Sequence, residues 1–250
     1  MKTKVIGEDR EIMICTPLVG KNQEEIFTEL QKVLSQKPDI IEWRADFFQG
    51  IANTNEVLRT AHELTLRAGD TPFIFTIRST REGGQPIAIS DKEAIVLNAA
   101  VCQETNMDYV DCELSNIPEH IKYLRSAASE YGTKIIGSFH NFDFTPDRDF
   151  LAGKFAEAEQ YRLDVAKVAV MPQKPEDVLT LLCATLEAKK KLKIPLITMS
   201  MGRYGVISRM IGGVFGSSLS FAVGVGSSAP GQVPIDDLRT VLNIIEKAMG

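Results

Sequence analysis

One lysine stands where lysines rarely stand. In LDVAKVAVMP, Lys167 interrupts an apolar run that reads as a buried parallel strand. An unpaired charge there costs several kcal/mol or shifts its protonation. Burial of a lysine therefore implies that the residue is used or paired. Desolvation and nearby arginines would both favour the neutral, nucleophilic amine, so the chemistry it suggests is imine formation with a small keto acid. A lysine neutralised by a carboxylate such as Glu42 fits the same pattern.

A second candidate lies one strand earlier. His140 closes the run KIIGSFH, and an imidazole there exchanges protons near neutral pH without a large shift. The other histidines, His62 and His120, fall within or at the start of outer helices and are expected to face solvent. In IIEWR, Glu42 and Arg44 share one strand face and Ile41 and Trp43 the other. If the apolar pair meets helices, the charged pair points inward, although a local structural ion pair reads the same way. FIFTIRS repeats the logic, with Phe73, Phe75 and Ile77 on one face and Arg78 on the other. The loop that follows carries Arg81, Glu82, Gly83 and Gly84, and a plain surface turn would also explain it.

Further on, Arg209 is suited to bidentate capture of a carboxylate, with Ser228 and Gln232 adding neutral hydrogen bonds. GVGSSAPGQ is consistent with a closing lid, a phosphate-binding loop or simple disorder. It lacks the third glycine of the dinucleotide fingerprint.

These residues need a frame that turns strand ends toward one place. Short β-branched runs near 11–16, 39–44, 72–78, 108–112, 133–139, 163–170, 194–199 and 216–221 alternate with helical stretches. The helices are expected near 22–35, 53–68, 90–104, 117–130, 147–160, 175–190, 203–211 and 235–248, with Asn22 and Ser90 as helix starts. Many strands are apolar on both faces, as helix-covered parallel strands must be. Eight strand–helix units close a parallel (β/α)8 TIM barrel, whose active site lies at the carboxyl ends of its strands. One domain over 1–250 is expected, with residues 1–9 left for a short N-terminal hairpin. An open doubly wound sheet is the alternative.

The 250 residues carry 28 Lys+Arg against 33 Asp+Glu, which argues against nucleic acid but not against a small anion held by a few arginines. Cys15, Cys102, Cys112 and Cys183 form no CxxC pair, so neither a disulfide scaffold nor a structural zinc site is expected. Acidic residues interrupt the N-terminus before any signal-like apolar run, and no stretch is apolar enough to span a membrane. A cytoplasmic protein is expected.

The motifs together resemble the type I 3-dehydroquinate dehydratases (3-dehydroquinases) over nearly the whole chain. They are EWRAD at 42–46, TIRSTREGG at 76–84, SFHNF at 138–142, AKVAVMP at 166–172, TMSMGRYGVISR at 198–209, GGVFGS at 212–217 and SAPGQ at 228–232. The resemblance implies a (β/α)8 barrel, usually dimeric, with no metal or organic cofactor. It implies dehydration of 3-dehydroquinate to 3-dehydroshikimate, the third step of the shikimate route. It assigns the imine to Lys167, general acid–base work to His140, and orientation of that histidine to Glu82. Substrate binding falls to Glu42, Arg44, Arg78, Arg209, Ser228 and Gln232. Asn141 stands where relatives often have aspartate, which puts the local pKa of His140 in question but not its role. Two rivals stay in view: a class I aldolase, which the barrel and Lys167 alone fit equally well, and a small-anion binding protein, which would leave the buried lysine unexplained.

Overall fold

The computed structural model describes residues 5–8 and 12–250. Eight parallel strands alternate with eight α-helices: β1 Met13–Leu18, α1 Gln23–Ser35, β2 Ile40–Arg44, α2 Thr54–Ala68, β3 Phe73–Thr76, α3 Asp91–Glu104, β4 Tyr109–Glu113 and α4 Pro118–Tyr131. The second half repeats the pattern with β5 Lys134–Asn141, α5 Arg148–Gln160, β6 Val165–Val170, α6 Pro175–Lys191, β7 Leu196–Ser200, α7 Gly202–Ile211, β8 Leu219–Phe221 and α8 Ile235–Met249. Neighbouring strands pair in sequence from β1 to β7, and β8 returns to pair with β1. The ring closes between β7 and β8 through Ser218, whose N–H donates to Leu196 O while its carbonyl accepts from Met13 N. This is the (β/α)8 barrel, not the open sheet.

Local chemistry sets the helix starts. Asn22 accepts from the N–H of Glu25, and Ser90 with Glu93 forms a reciprocal capping box. Pro118 and Pro175 occupy the first helical turn, where a missing N–H costs nothing.

Strand alternation then sorts the interior. Ile41, Trp43, Phe73, Phe75, Val110, Cys112, Val168 and Val170 pack outward against the helices. Ile40, Ile74, Tyr109, Ile136, Val165, Ala169 and Ile197 fill the barrel. At the amino-terminal end of the strands, buried Ile6 joins that inner core and its N–H donates to the Tyr109 hydroxyl at 3.0 Å. The hairpin expected over 1–9 falls largely outside the described residues; residues 5–8 form a turn. The first strand begins two residues later than expected, and Glu11 lies outside the described residues. The third strand stops at Thr76, short of Arg78. Asp46 accounts for this end: its Oδ1 takes the Arg78 N–H at 3.3 Å, drawing the chain off the ladder.

Candidate active site

Above the apolar layer the barrel interior turns polar. The even-numbered strands place Glu42 (β2), Asp111 (β4), Lys167 (β6) and Phe221 (β8) in one layer, the alternate-strand arrangement of such barrels. They meet around the lysine. Lys167 Nζ lies 3.3 Å from Glu42 Oε1 and 3.2 Å from Asp111 Oδ2, and 4.7 Å from the centre of the Phe221 ring. Its neighbours in β6 carry no charge, and the residue is 3% exposed. Nearby arginines were expected to favour a neutral amine; the structure instead pairs it with carboxylates, Glu42 among them, as the alternative reading of the sequence had it. Each carboxylate is held in turn: Glu42 Oε1 accepts from Thr76 Oγ1 at 3.0 Å, and Asp111 Oδ1 from Ser138 Oγ at 2.6 Å. Burial pushes the Asp111 carboxyl up, but Arg78 and Lys167 outweigh it and hold the group below its usual range.

Arg78 organises the next layer. Its guanidinium pairs with Asp111 at 2.8 Å, Glu113 at 3.0 Å and Glu82 at 3.6 Å. Burial opposes its charge, and the surrounding acids more than restore it, so Arg78 stays protonated. The loop bearing it is folded tightly. A Cβ on Gly84 would lie 1.9 Å from Arg78 O, so only glycine permits this return of the chain.

At the end of β5, His140 faces Glu82. The Glu82 Oε2 atom lies 2.9 Å from His140 Nδ1 and also accepts the His140 backbone N–H at 3.0 Å. That bond turns Nδ1 toward the carboxylate and leaves Nε2 as the free ring nitrogen. Burial lowers the His140 pKa well below its ordinary value, and Arg78, Lys167 and Arg44 add to the effect. Burial raises Glu82 to about 7, with Arg78 opposing and Glu113 and Asp111 reinforcing. The outer histidines differ: His62 is exposed, while His120 is half-buried rather than fully solvated.

One cleft collects these groups. Its walls include Glu42, Arg44, Arg78, Glu82, His140 and Lys167, together with Ser228 and Gln232. Phe142, Met199, Met201 and Phe221 supply apolar surface. The lining is therefore mixed, charged and apolar side chains together, which suits a small, partly polar ring. Arg44 is anchored by a two-point bond to Asp46, both contacts 2.8 Å, and also donates to Ser228 O at 3.3 Å.

Segment 224–232 is held by hydrogen bonds within itself and to α7. Ser228 N donates to Gln232 Oε1 at 3.0 Å, and Gln232 Nε2 returns a bond to Ser228 Oγ at 3.1 Å. Pro230 O accepts from Gly202 N at 3.1 Å. Gly231, at φ +80°, sits so close to Gly202 that a Cβ would strike its carbonyl at 2.6 Å.

Arg209 alone among the expected site residues does not wall the cleft. It lies behind it, 1% exposed, donating to Pro230 O at 3.1 Å and reaching Met199 Sδ at 3.5 Å. Its Nε has no hydrogen-bond partner, and among the described residues no acid forms an ion pair with it. Burial lowers its pKa to about 10, so it remains a buried cation without a counter-charge.

The sequence reading missed Asp111, Glu113, Asp46, Ser115 and Ser138. Asp111 and Glu113 alternate with Val110 and Cys112 in DYVDC-E just as Glu42 and Arg44 alternate with Ile41 and Trp43, so the signal for them was present.

The model of the family described as "Type I 3-dehydroquinase" matches residues 14–249. A protein of Aromatoleum aromaticum named 3-dehydroquinate dehydratase is 48% identical, covering 100% of this chain and 96% of that protein. One of Geobacillus sp. strain WCH70 with the same name is 49% identical, covering 99% and 94%. Among solved structures, the 3-dehydroquinate dehydratase of Geobacillus kaustophilus superposes with a TM-score of 0.93 at 48% identity, covering 95% of this chain and 92% of that one. The type I enzyme of Clostridium difficile, solved with covalently modified comenic acid, gives 0.93 at 39% identity, covering 99% and 100%.

Proposed function

This chain belongs to the type I 3-dehydroquinase family, and from that premise we propose which of its atoms carry out the family's reaction. The chain dehydrates 3-dehydroquinate to 3-dehydroshikimate in the shikimate pathway, and a Schiff-base route is characteristic of type I enzymes. The observation that carries the assignment is a buried Lys167 amine opening on the same cleft as the His140–Glu82 pair.

Losing water across C1 and C2 requires a proton to leave C2, next to the C3 ketone. A ketone enolate is costly, and a protonated imine withdraws electrons far better. Lys167 Nζ adds to C3, and the C3 oxygen departs as water. The proton that the amine sheds before attack has Glu42 Oε1 and Asp111 Oδ2 as its nearest acceptors. His140 Nε2 then takes the C2 proton. The enamine expels the C1 hydroxyl, to which His140 returns that proton, and water releases Lys167. One imidazole serves both steps because it gains a proton in the first and loses it in the second. Glu82 orients the ring through Nδ1 and supports its positive form.

Arg209 is the receiver for the substrate carboxylate. Its buried, unbalanced charge and free Nε support that role, and Ser228 and Gln232 stand nearby on the cleft wall to assist. Glu42, Arg44 and Arg78 read the ring hydroxyls, and analogues lacking a hydroxyl leave these buried groups unpaired. We further propose that the chain is one domain acting as a cytoplasmic homodimer with no cofactor. The free cysteines support a reducing compartment, and the exposed Ile207, Val214, Ile244 and Met249 on and around α7 and α8 support a second copy.

The test is an ultraviolet assay for the conjugated enone formed from 3-dehydroquinate, run across pH. Above about pH 7 the pair is a carboxylate and a neutral imidazole, with Nε2 free. A proton gained below that point either occupies Nε2 or cancels the charge that supports the imidazolium. We expect kcat/KM to fall as pH drops through about 7. A flat profile from pH 8 to pH 5.5 (roughly the span that would include the limb) contradicts the assignment, and no enone at any pH contradicts the reaction.

A further inference from the structure

The acid–base pair does not end at Glu82. While Oε2 faces His140, the other oxygen, Oε1, accepts from Ser115 Oγ at 2.8 Å. Ser115 follows β4, and its Oγ also lies 3.4 Å from Glu113 Oε2. The second Glu113 oxygen is fixed by the Ser79 N–H at 2.8 Å and by Arg78 Nη1 at 3.0 Å. A line of contacts thus runs from His140 through Glu82 and Ser115 to Glu113. At its far end Glu113 borders a second cleft, shared with Ser79, Asn98 and Asn116.

We propose that Ser115 is a positioning residue for the dehydration, and that Glu113 acts through it to set the proton balance of the His140–Glu82 pair. The inference rests on His140 as the proton carrier.

Two opposing influences follow from the geometry. The Ser115 hydroxyl donates to Glu82 and favours its carboxylate. The Glu113 anion, on the other side of the Ser115 hydroxyl, disfavours it. The other charges facing the pair are Arg78 from the loop after β3, Asp111 from β4, Lys167 from β6 and Arg44 from β2. None of these is altered by substitution at 115. Glu113→Gln keeps an oxygen available for Arg78 and Ser79 while removing the charge.

The experiment is the pH dependence of kcat/KM for Ser115→Ala, Ser115→Thr and Glu113→Gln, with His140→Ala assayed at one pH beside them. Ser115→Ala is expected to move the acid limb upward by roughly one to two units, the worth of one hydrogen bond to a charged group. Ser115→Thr, which keeps the hydroxyl, is expected to restore it. Glu113→Gln is expected to move the limb downward. Limbs that stay in place, or move the same way in Ser115→Ala and Glu113→Gln, would overturn the proposal even if kcat falls. Wild-type dehydration by His140→Ala would instead overturn the assignment of the proton carrier, and this inference with it.

Discussion

Replacing Lys167 with alanine is expected to lower kcat for dehydration by roughly 10⁴-fold or more, because no other group in the cleft can form the imine. Glu42 and Asp111 flank the amine, but neither is a nucleophile toward a ketone that yields an electron sink. Arg78 is held protonated by the surrounding acids. Removal of the lysine also leaves two buried carboxylates without their shared cation, a destabilising change in its own right. Lys167→Met keeps most of the volume, and so limits the packing loss, but removes the same cation. Steady-state kinetics paired with a thermal melt separate lost chemistry from lost stability. Loss of turnover in a variant that still melts cooperatively assigns the loss to chemistry. Retained wild-type turnover in either variant refutes the assignment.

His140→Ala should behave differently. Its kcat is expected to fall by about 10²- to 10⁴-fold, the usual span for removing a general acid–base group. Carbon–nitrogen bond formation at Lys167 is expected to survive, since the histidine moves protons and the lysine holds the carbon. The contrast is experimentally useful because the two residues are neighbours: Ser138 in β5 sits in register with Lys167 in β6, and His140 lies two residues further along. A variant that loses adduct formation yet retains fast dehydration would contradict the division of labour. Substrate binding should be affected less than turnover, because His140 is one wall residue among many in the cleft.

The chain announced its frame clearly and its site in part. β-branched runs located every strand–helix unit, because a helix-covered parallel strand must be apolar on both faces, and side-chain caps such as Asn22 and Ser90 marked some of the helix starts. The ends were less legible. β3 leaves the ladder at Thr76 because Asp46, 32 residues before Arg78 in the chain, captures the Arg78 N–H, and no local pattern encodes a contact of that kind. The lysine stood out because a charge inside an apolar strand needs a reason. What surrounded it did not, since the identity of its neighbours depends on which strands share a layer. Only barrel geometry brings β2, β4, β6 and β8 together there. Arg209 shows the converse. Its position in the sequence suggested a cleft wall, whereas its guanidinium lies behind Met199 and Pro230. The aldolase rival, which the lysine and barrel alone fitted, gives way to the family match over residues 14–249.

The Lys167 amine is the centre of this account, and reductive trapping examines it directly. The protein is treated with borohydride in the presence of 3-dehydroquinate, then measured intact and after digestion by mass spectrometry. The expected result is a stable added mass carried by the peptide containing Lys167, formed by wild type and by His140→Ala but not by Lys167→Met. An unmodified chain that is nonetheless turning over substrate, or an adduct on any other residue, would contradict it.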